Sequence, residues 1–249
     1  MLHSRQTNRR GFTIETRTQG GPGSLTEDDV LRQIEQAVLD HRLPPGTKLR
    51  EVKLAEVFGV TRGTIRKVLT RLANSRLVVQ QPNRGARVAR PSAGEGRDLF
   101  AARRAIENAI IETLVARNDA SALGALGDLL HREQQAYRQG DDKRALTLSV
   151  EFHRELARFA GNSVLEEYLD DIIRRTPLVI LTHLGNDHEN ACRNQEHQAI
   201  LEAIAAGDAK QACEIMNRHL LRIENQIQDR PEQAQPDLAA LLTPGSGDE

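Results

Sequence analysis

The chain has 249 residues, 39% hydrophobic and 28% charged, which is apolar content enough for one large core or two ordinary ones. No run of about 18 apolar residues occurs, so no membrane-spanning helix is expected, and 3% aromatic residues with no Trp argue against stacking platforms for single-stranded nucleic acid. The net charge of −1 conceals an asymmetry: residues 1–25 carry 4 Lys/Arg against 1 Asp/Glu and residues 26–90 carry 13 against 7, whereas 91–249 carry 17 against 27. A basic front on an acidic body fits a polyanion met by the front alone, though a charge excess is also what an ordinary solvated face shows. The N-terminus lacks the apolar core of a signal peptide, which implies a cytoplasmic protein. Cys192 and Cys213 lack metal-knuckle spacing and read as reduced thiols.

In chain order, residues 1–24 are polar, Gly-rich and aperiodic, and read as a disordered tail. Thr26-Glu27-Asp28-Asp29 resembles a capped helix start, and Val30, Ile34, Ala37 and Val38 form one stripe of a helix over 26–41. Leu43-Pro44-Pro45-Gly46 makes a turn. A short helix over 51–58 follows, with Val52, Leu54, Ala55 and Phe58 as its apolar contacts. After Gly59-Val60, Thr61 caps a third helix over 62–74 that buries Ile65, Val68, Leu69 and Leu72. Residues 77–80 and 86–88 then alternate like strands around the turn residues 81–85. Three helices and a hairpin make a winged helix-turn-helix over 25–90. Residues 91–96 read as a linker by composition. From 97 to 230 the pattern is helical throughout, with expected helices over 97–117, 119–139, 142–160, 162–184, 190–206 and 208–229 and Pro177 kinking or splitting the fourth. Residues 231–249 read as a second disordered tail. The expected fold is mainly α: a winged helix followed by an all-α helical bundle.

In a helix-turn-helix the second helix enters the major groove with its N-terminal residues on base edges. Here that helix opens Thr61-Arg62-Gly63-Thr64-Ile65-Arg66-Lys67, which puts Arg62 and Arg66 on one face while Ile65, Val68 and Leu69 turn inward. Each guanidinium can grip O6 and N7 of a guanine, worth about 1–3 kcal/mol of discrimination. Thr61 and Thr64 suit a phosphate or a thymine methyl, Arg84 and Gly85 sit at the wing tip, and Lys48, Arg50 and Lys67 suit phosphates. An arginine pair alone would equally read as solubilising; the turn before it and the hairpin after it favour the DNA reading. The stretch Leu49 to Leu69, preceded by Leu43-Pro44-Pro45-Gly46 and followed by the wing Pro82-Asn83-Arg84-Gly85-Ala86-Arg87-Val88, resembles the GntR family of bacterial repressors. That resemblance implies a homodimer on a palindromic double-stranded operator. Two departures are Gly63, which costs helix stability, and Val52, where one branch carries a DNA-contacting arginine.

Three of the eight histidines lie on apolar stripes of different helices: His153 with Leu156 and Ala157, His197 with Ile200, Leu201 and Ile204, and His219 with Ile215, Met216 and Ile223. One inward histidine is usually a hydrogen-bonded core residue. Three in one bundle each need a partner in a low-dielectric interior, and convergence on a divalent cation satisfies all of them. Zinc suits three imidazoles, as do nickel, manganese and iron in different degrees. The other five, His183 among them, carry no assignment.

Arg103-Arg104-Ala105-Ile106-Glu107, Phe152-His153-x-x-Leu156 with Gly161-Asn162, Glu196-His197-x-x-Ile200, and Gly207-Asp208 leading to His219-Leu220 resemble the FCD effector domain of the FadR branch. The resemblance implies three histidines and an acid or amide around a metal, with a small organic-acid effector beside it. The residue one turn before His153 is Ser149, a poorer ligand than a carboxylate, so metal affinity should fall or water should fill that position. Arg103 reads either as a clamp for the effector carboxylate or as a structural ion pair with Glu107. The reading that follows is a ligand-responsive regulator, a repressor by the family's commoner habit, and not an enzyme. The alternatives are a metal-dependent hydrolase, which would need Glu151, Glu155 or Glu196 as its base although Glu155 and Glu196 are ill-placed, and an architectural DNA-binding protein with no effector.

Overall fold

The computed structural model describes residues 5–7, 13–15, 25–39, 42–81, 85–184 and 196–228. These divide into two compact units, one up to Arg90 and one from Pro91 onward.

In the first unit, β1 (Arg5–Thr7) pairs antiparallel with β2 (Thr13–Glu15), with Gln6 opposite Ile14. The expectation of an unstructured segment there is corrected for these residues, whose β-branched Thr7, Thr13 and Ile14 favour extended backbone. Helix α1 (Glu27–Leu39) begins on a reciprocal cap: Thr26 Oγ1 accepts from the Asp29 N–H, and Asp29 accepts from the Thr26 N–H. Its stripe of Val30, Ile34, Ala37 and Val38 is fully buried. A two-residue strand β3 (Lys48–Leu49) leads into α2 (Glu51–Phe58). This helix ends at Gly59, whose φ of 64° is left-handed backbone that only glycine adopts without cost. Leu54 and Phe58 face inward, one turn apart, but Val52 is 51% exposed, correcting the expectation that it packs in the core. The 3.6-residue period places it roughly a third of a turn from the buried stripe.

Helix α3 (Arg62–Asn74) packs Ile65, Val68, Leu69 and Leu72 against that core. Strands β4 (Val78–Gln81) and β5 (Gly85–Val88) form the hairpin, and β3 adds to β5, giving the order β3-β5-β4. Two residues were too few for β3 to show any alternation in the sequence.

The second unit is a bundle of seven described helices: α4 (Ala93–Arg117), α5 (Ala120–Arg138), α6 (Asp142–Ala160), α7 (Ser163–Ile173), α8 (Thr176–His183), α9 (Glu196–Ala205) and α10 (Ala209–Glu224). The expected linker over 91–96 is shorter than its composition suggested. Ser92 and Glu95 close a capping box, so Ala93-Gly94-Glu95-Gly96 form the first turn of α4. Gly96 is needed there because a Cβ would lie 2.9 Å from Val179 of α8. The helix expected over 162–184 is two helices, with Pro177 in the first turn of α8, where its missing N–H has no carbonyl to serve. Asp119, Asp141, Asn162 and Asp208 cap α5, α6, α7 and α10. The expected tail over 231–249 lies outside the described residues.

Candidate functional site

The first unit presents α3 outward. Thr61 caps it by accepting from the Thr64 N–H, and the two hydroxyls lie 3.0 Å apart, so both threonines hold the helix opening together. Arg62 and Arg66 stand beside each other, with side chains 62% and 63% exposed. Arg50, Lys67, Lys48 and Gly85 are exposed as well. Gly85 has a φ of 79°, which is why the wing has glycine there. Arg84 lies outside the described residues. Gln80 of β4 donates to Thr70 Oγ1 and ties the wing to α3.

The second unit gathers His153 of α6, His197 of α9 and His219 of α10, all buried, with one ligating nitrogen from each lying within 4.8 Å of the others. Behind each ring stands a carboxylate. Nδ1 of His153 hydrogen-bonds Glu107 of α4, Nδ1 of His197 lies 3.0 Å from Glu133 of α5, and Nδ1 of His219 lies 2.8 Å from Glu196 of α9. A carboxylate oxygen only accepts, so Nδ1 carries the proton and Nε2 of a neutral ring is left with its lone pair.

The electrostatics agree. Burial pushes His153 down to about 4 and His219 down to about 3, against the pull of their carboxylates. Burial acts to raise Glu107 and Glu196. The Arg103 guanidinium and His153 nevertheless hold Glu107 at about 2, and hydrogen bonds from His219 and Arg222 hold Glu196 at about 2. At neutral pH His153 and His219 are therefore neutral rings backed by charged carboxylates.

Nε2 of His197 and Nε2 of His219 face each other at 3.3 Å. Two lone pairs at that separation repel unless a proton or a cation lies between them. Two imidazoles bonded to one tetrahedral ion at about 2.0–2.1 Å stand roughly 3.3 Å apart. The donor set therefore fits a divalent metal, and the three carboxylates fix each ring as such ligands require. Ser149, one turn before His153, is buried beside it on α6.

Arg103 is 2% exposed and donates from Nε to Glu107 Oε1 at 2.7 Å, so the ion pair with Glu107 exists. Its Nη2 is buried with no hydrogen-bond partner among the described residues. A buried guanidinium donor left over is the feature that a carboxylate ligand would satisfy.

The carboxylates behind the rings were missed as such: Glu107 was read only as a partner of Arg103, Glu196 only as an ill-placed base, and Glu133 not at all. Glu133 lies on the stripe of Leu126, Leu129, Leu130 and Ala136, so the rule that found the histidines would have found it too. His183 was also passed over as a helix-end residue. It is 3% exposed, with Nδ1 2.7 Å from the Gln228 carbonyl and Nε2 3.0 Å from the Pro91 carbonyl, tying both ends of the bundle to α8. Glu155 turns instead to Arg158 on the surface.

Comparison with known proteins agrees with both halves. Residues 26–88 match the model of bacterial regulatory proteins of the gntR family, and residues 98–222 match the FCD domain. An HTH-type transcriptional regulator of Streptomyces ambofaciens is 30% identical over 83% of this chain and 86% of its own. The HTH-type transcriptional repressor NanR of Citrobacter rodentium is 30% identical over 77% of this chain and 81% of its own. A solved structure of a GntR transcriptional regulator from Rhodococcus sp. RHA1 shares the fold, with a TM-score of 0.71 at 24% identity over 80% of this chain and 96% of that one. Relatives and family alike are transcriptional regulators rather than enzymes. The chain belongs to the gntR family of bacterial regulatory proteins, as a transcriptional regulator with a winged helix-turn-helix and an FCD domain.

Proposed function

We propose that this regulator is a cytoplasmic repressor that binds a palindromic operator as a homodimer and is released by a small carboxylate metabolite. The reading rests on one observation above others: three buried imidazoles bring one ligating nitrogen each within 4.8 Å of the others, with Nε2 of His197 and of His219 3.3 Å apart, near a buried arginine with an unsatisfied donor. His153, His197 and His219 would hold a divalent cation, zinc foremost, with nickel, manganese or iron as alternatives. Such a cation offers open coordination positions to an oxygen ligand. Arg103 Nη2 would anchor that ligand's carboxylate, and Ser149 leaves room where a fourth protein ligand could have stood.

On the DNA side, Arg62 and Arg66 would read base edges. Thr61, Thr64, Arg50, Lys67, Arg84 and Gly85 would contact the backbone or the adjacent groove. The NanR relative carries the name repressor, which supports the same sign here. Effector binding acts by favouring the dimer state with lower operator affinity.

The test is an operator-release assay on zinc-loaded protein with a panel of small carboxylates. A carboxylate that raises the melting temperature should weaken operator binding in the wild type and do neither in the Arg103→Met variant. Operator affinity unmoved by every carboxylate that binds would contradict the reading.

A further inference from the structure

The two outward arginines of α3 share a partner. Glu51, the first residue of α2, accepts from Arg66 Nε at 3.1 Å and from Arg66 Nη2 at 2.9 Å, and its Oε2 lies 3.6 Å from Arg62 Nη2. One carboxylate on the neighbouring helix therefore stands between both guanidinium groups. A guanidinium presents five N–H donors in one plane. Glu51 takes Nε–H and one Nη2–H, which leaves the opposite edge, both Nη1 hydrogens and the second Nη2 hydrogen, for an outside ligand. That free edge has the fork geometry that grips O6 and N7 of guanine.

We propose that Glu51 is a positioning residue for DNA recognition, holding Arg66 by its inner edge and Arg62 alongside so that their outer edges meet bases rather than the nearest phosphates. The proposal rests on the reading of α3 as the recognition helix. A long arginine on an exposed helix samples many rotamers, and a phosphate accepts from it in almost any of them. A carboxylate on this surface weakens the general attraction to a polyanion, so it gives selectivity at the expense of affinity. Hydrogen bonding from Arg66 holds the Glu51 carboxyl below its ordinary range, in keeping with a charged buttress.

The experiment uses the full chain and two duplexes: one enriched from a random library by the wild-type protein, and one of the same composition with shuffled sequence. Affinity for each is measured across a salt series. In Glu51→Ala, binding to the shuffled duplex should strengthen about threefold and its log–log salt slope should steepen by about one, as a freed arginine takes a phosphate. Binding to the enriched duplex should weaken, so that the ratio of the two affinities falls about tenfold or more. Glu51→Gln, which keeps the shape and removes the charge, should move both quantities the same way by less. In an Arg62→Ala/Arg66→Ala background Glu51→Ala should change the ratio by less than about twofold, since both guanidinium groups it positions are gone. If Arg62→Ala and Arg66→Ala lower the ratio while both Glu51 variants leave it unchanged, or weaken the two duplexes equally, the positioning role is overturned and the recognition helix stands. If neither arginine replacement alters the ratio, the reading of α3 falls, and the proposal with it.

Discussion

The two units handle charge in opposite ways. On α3, Arg62 and Arg66 are more than half exposed and, among the described residues, share one carboxylate, an arrangement that solvent screens. In the bundle, Arg103, Glu107, His153, Glu133, His197 and His219 are all nearly sealed from water and use one another as partners. The exposed pair contributes little to folding, so its value lies in what it meets outside. The buried set is costly to keep, and apolar replacements of similar volume are often neutral or stabilising in such places. The ligand proposed above would account for that cost, with Arg103 Nη2 and the Nε2 atoms of His197 and His219 as the groups it would meet.

The comparison breaks most sharply at Glu107. Replacing it with Ala strands the Arg103 guanidinium in the interior and should cost about 3–5 kcal/mol of stability, read as a lower urea midpoint for the helical unit. A cost under 1 kcal/mol would show that water reaches Arg103. On the other side of the contrast, Arg62→Ala and Arg66→Ala should each remove about 1–3 kcal/mol of discrimination between operator and shuffled duplex. Their unfolding free energy should stay within about 0.5 kcal/mol of wild type; equal losses in both quantities would make them structural residues. Glu133→Gln keeps a hydrogen-bonding group behind His197 but removes the charge, and should weaken zinc about 10- to 100-fold in a chelator competition. Unchanged zinc affinity would detach Glu133 from the site. The smallest effect is expected at Gly63, where an added Cβ would lie 3.6 Å from Thr61 Oγ1, an ordinary contact. Gly63→Ala should therefore stabilise α3 by up to about 1 kcal/mol through helix propensity, seen as a higher melting temperature. A lower one would mean that the glycine backbone is needed as it stands.

The sequence was most informative where a residue type conflicted with its position. Histidines on apolar stripes and a Thr-capped helix with arginines at i and i+4 are local patterns, and the helices carrying them lie close to where periodicity placed them. Partners from distant segments were invisible to that reasoning. Glu107 reaches His153 across 46 residues, Glu133 reaches His197 across 64, and Glu51 reaches Arg66 across 15. Composition misled at 91–96, where small residues and glycines read as linker but the Ser92–Glu95 capping box and the tight approach of Gly96 to Val179 make a packed helix start. Val52 was misjudged for a related reason: hydrophobicity was weighed ahead of its angular position on α2.

The account depends most on the three imidazoles acting together as a cation site. Metal content of untagged full-length protein, measured by mass spectrometry after zinc loading and exhaustive dialysis, tests this directly. One equivalent of zinc per chain is expected in the wild type, and none in the His153→Ala/His197→Ala/His219→Ala variant. Wild-type protein that retains no zinc, or a triple variant that retains as much, would contradict it.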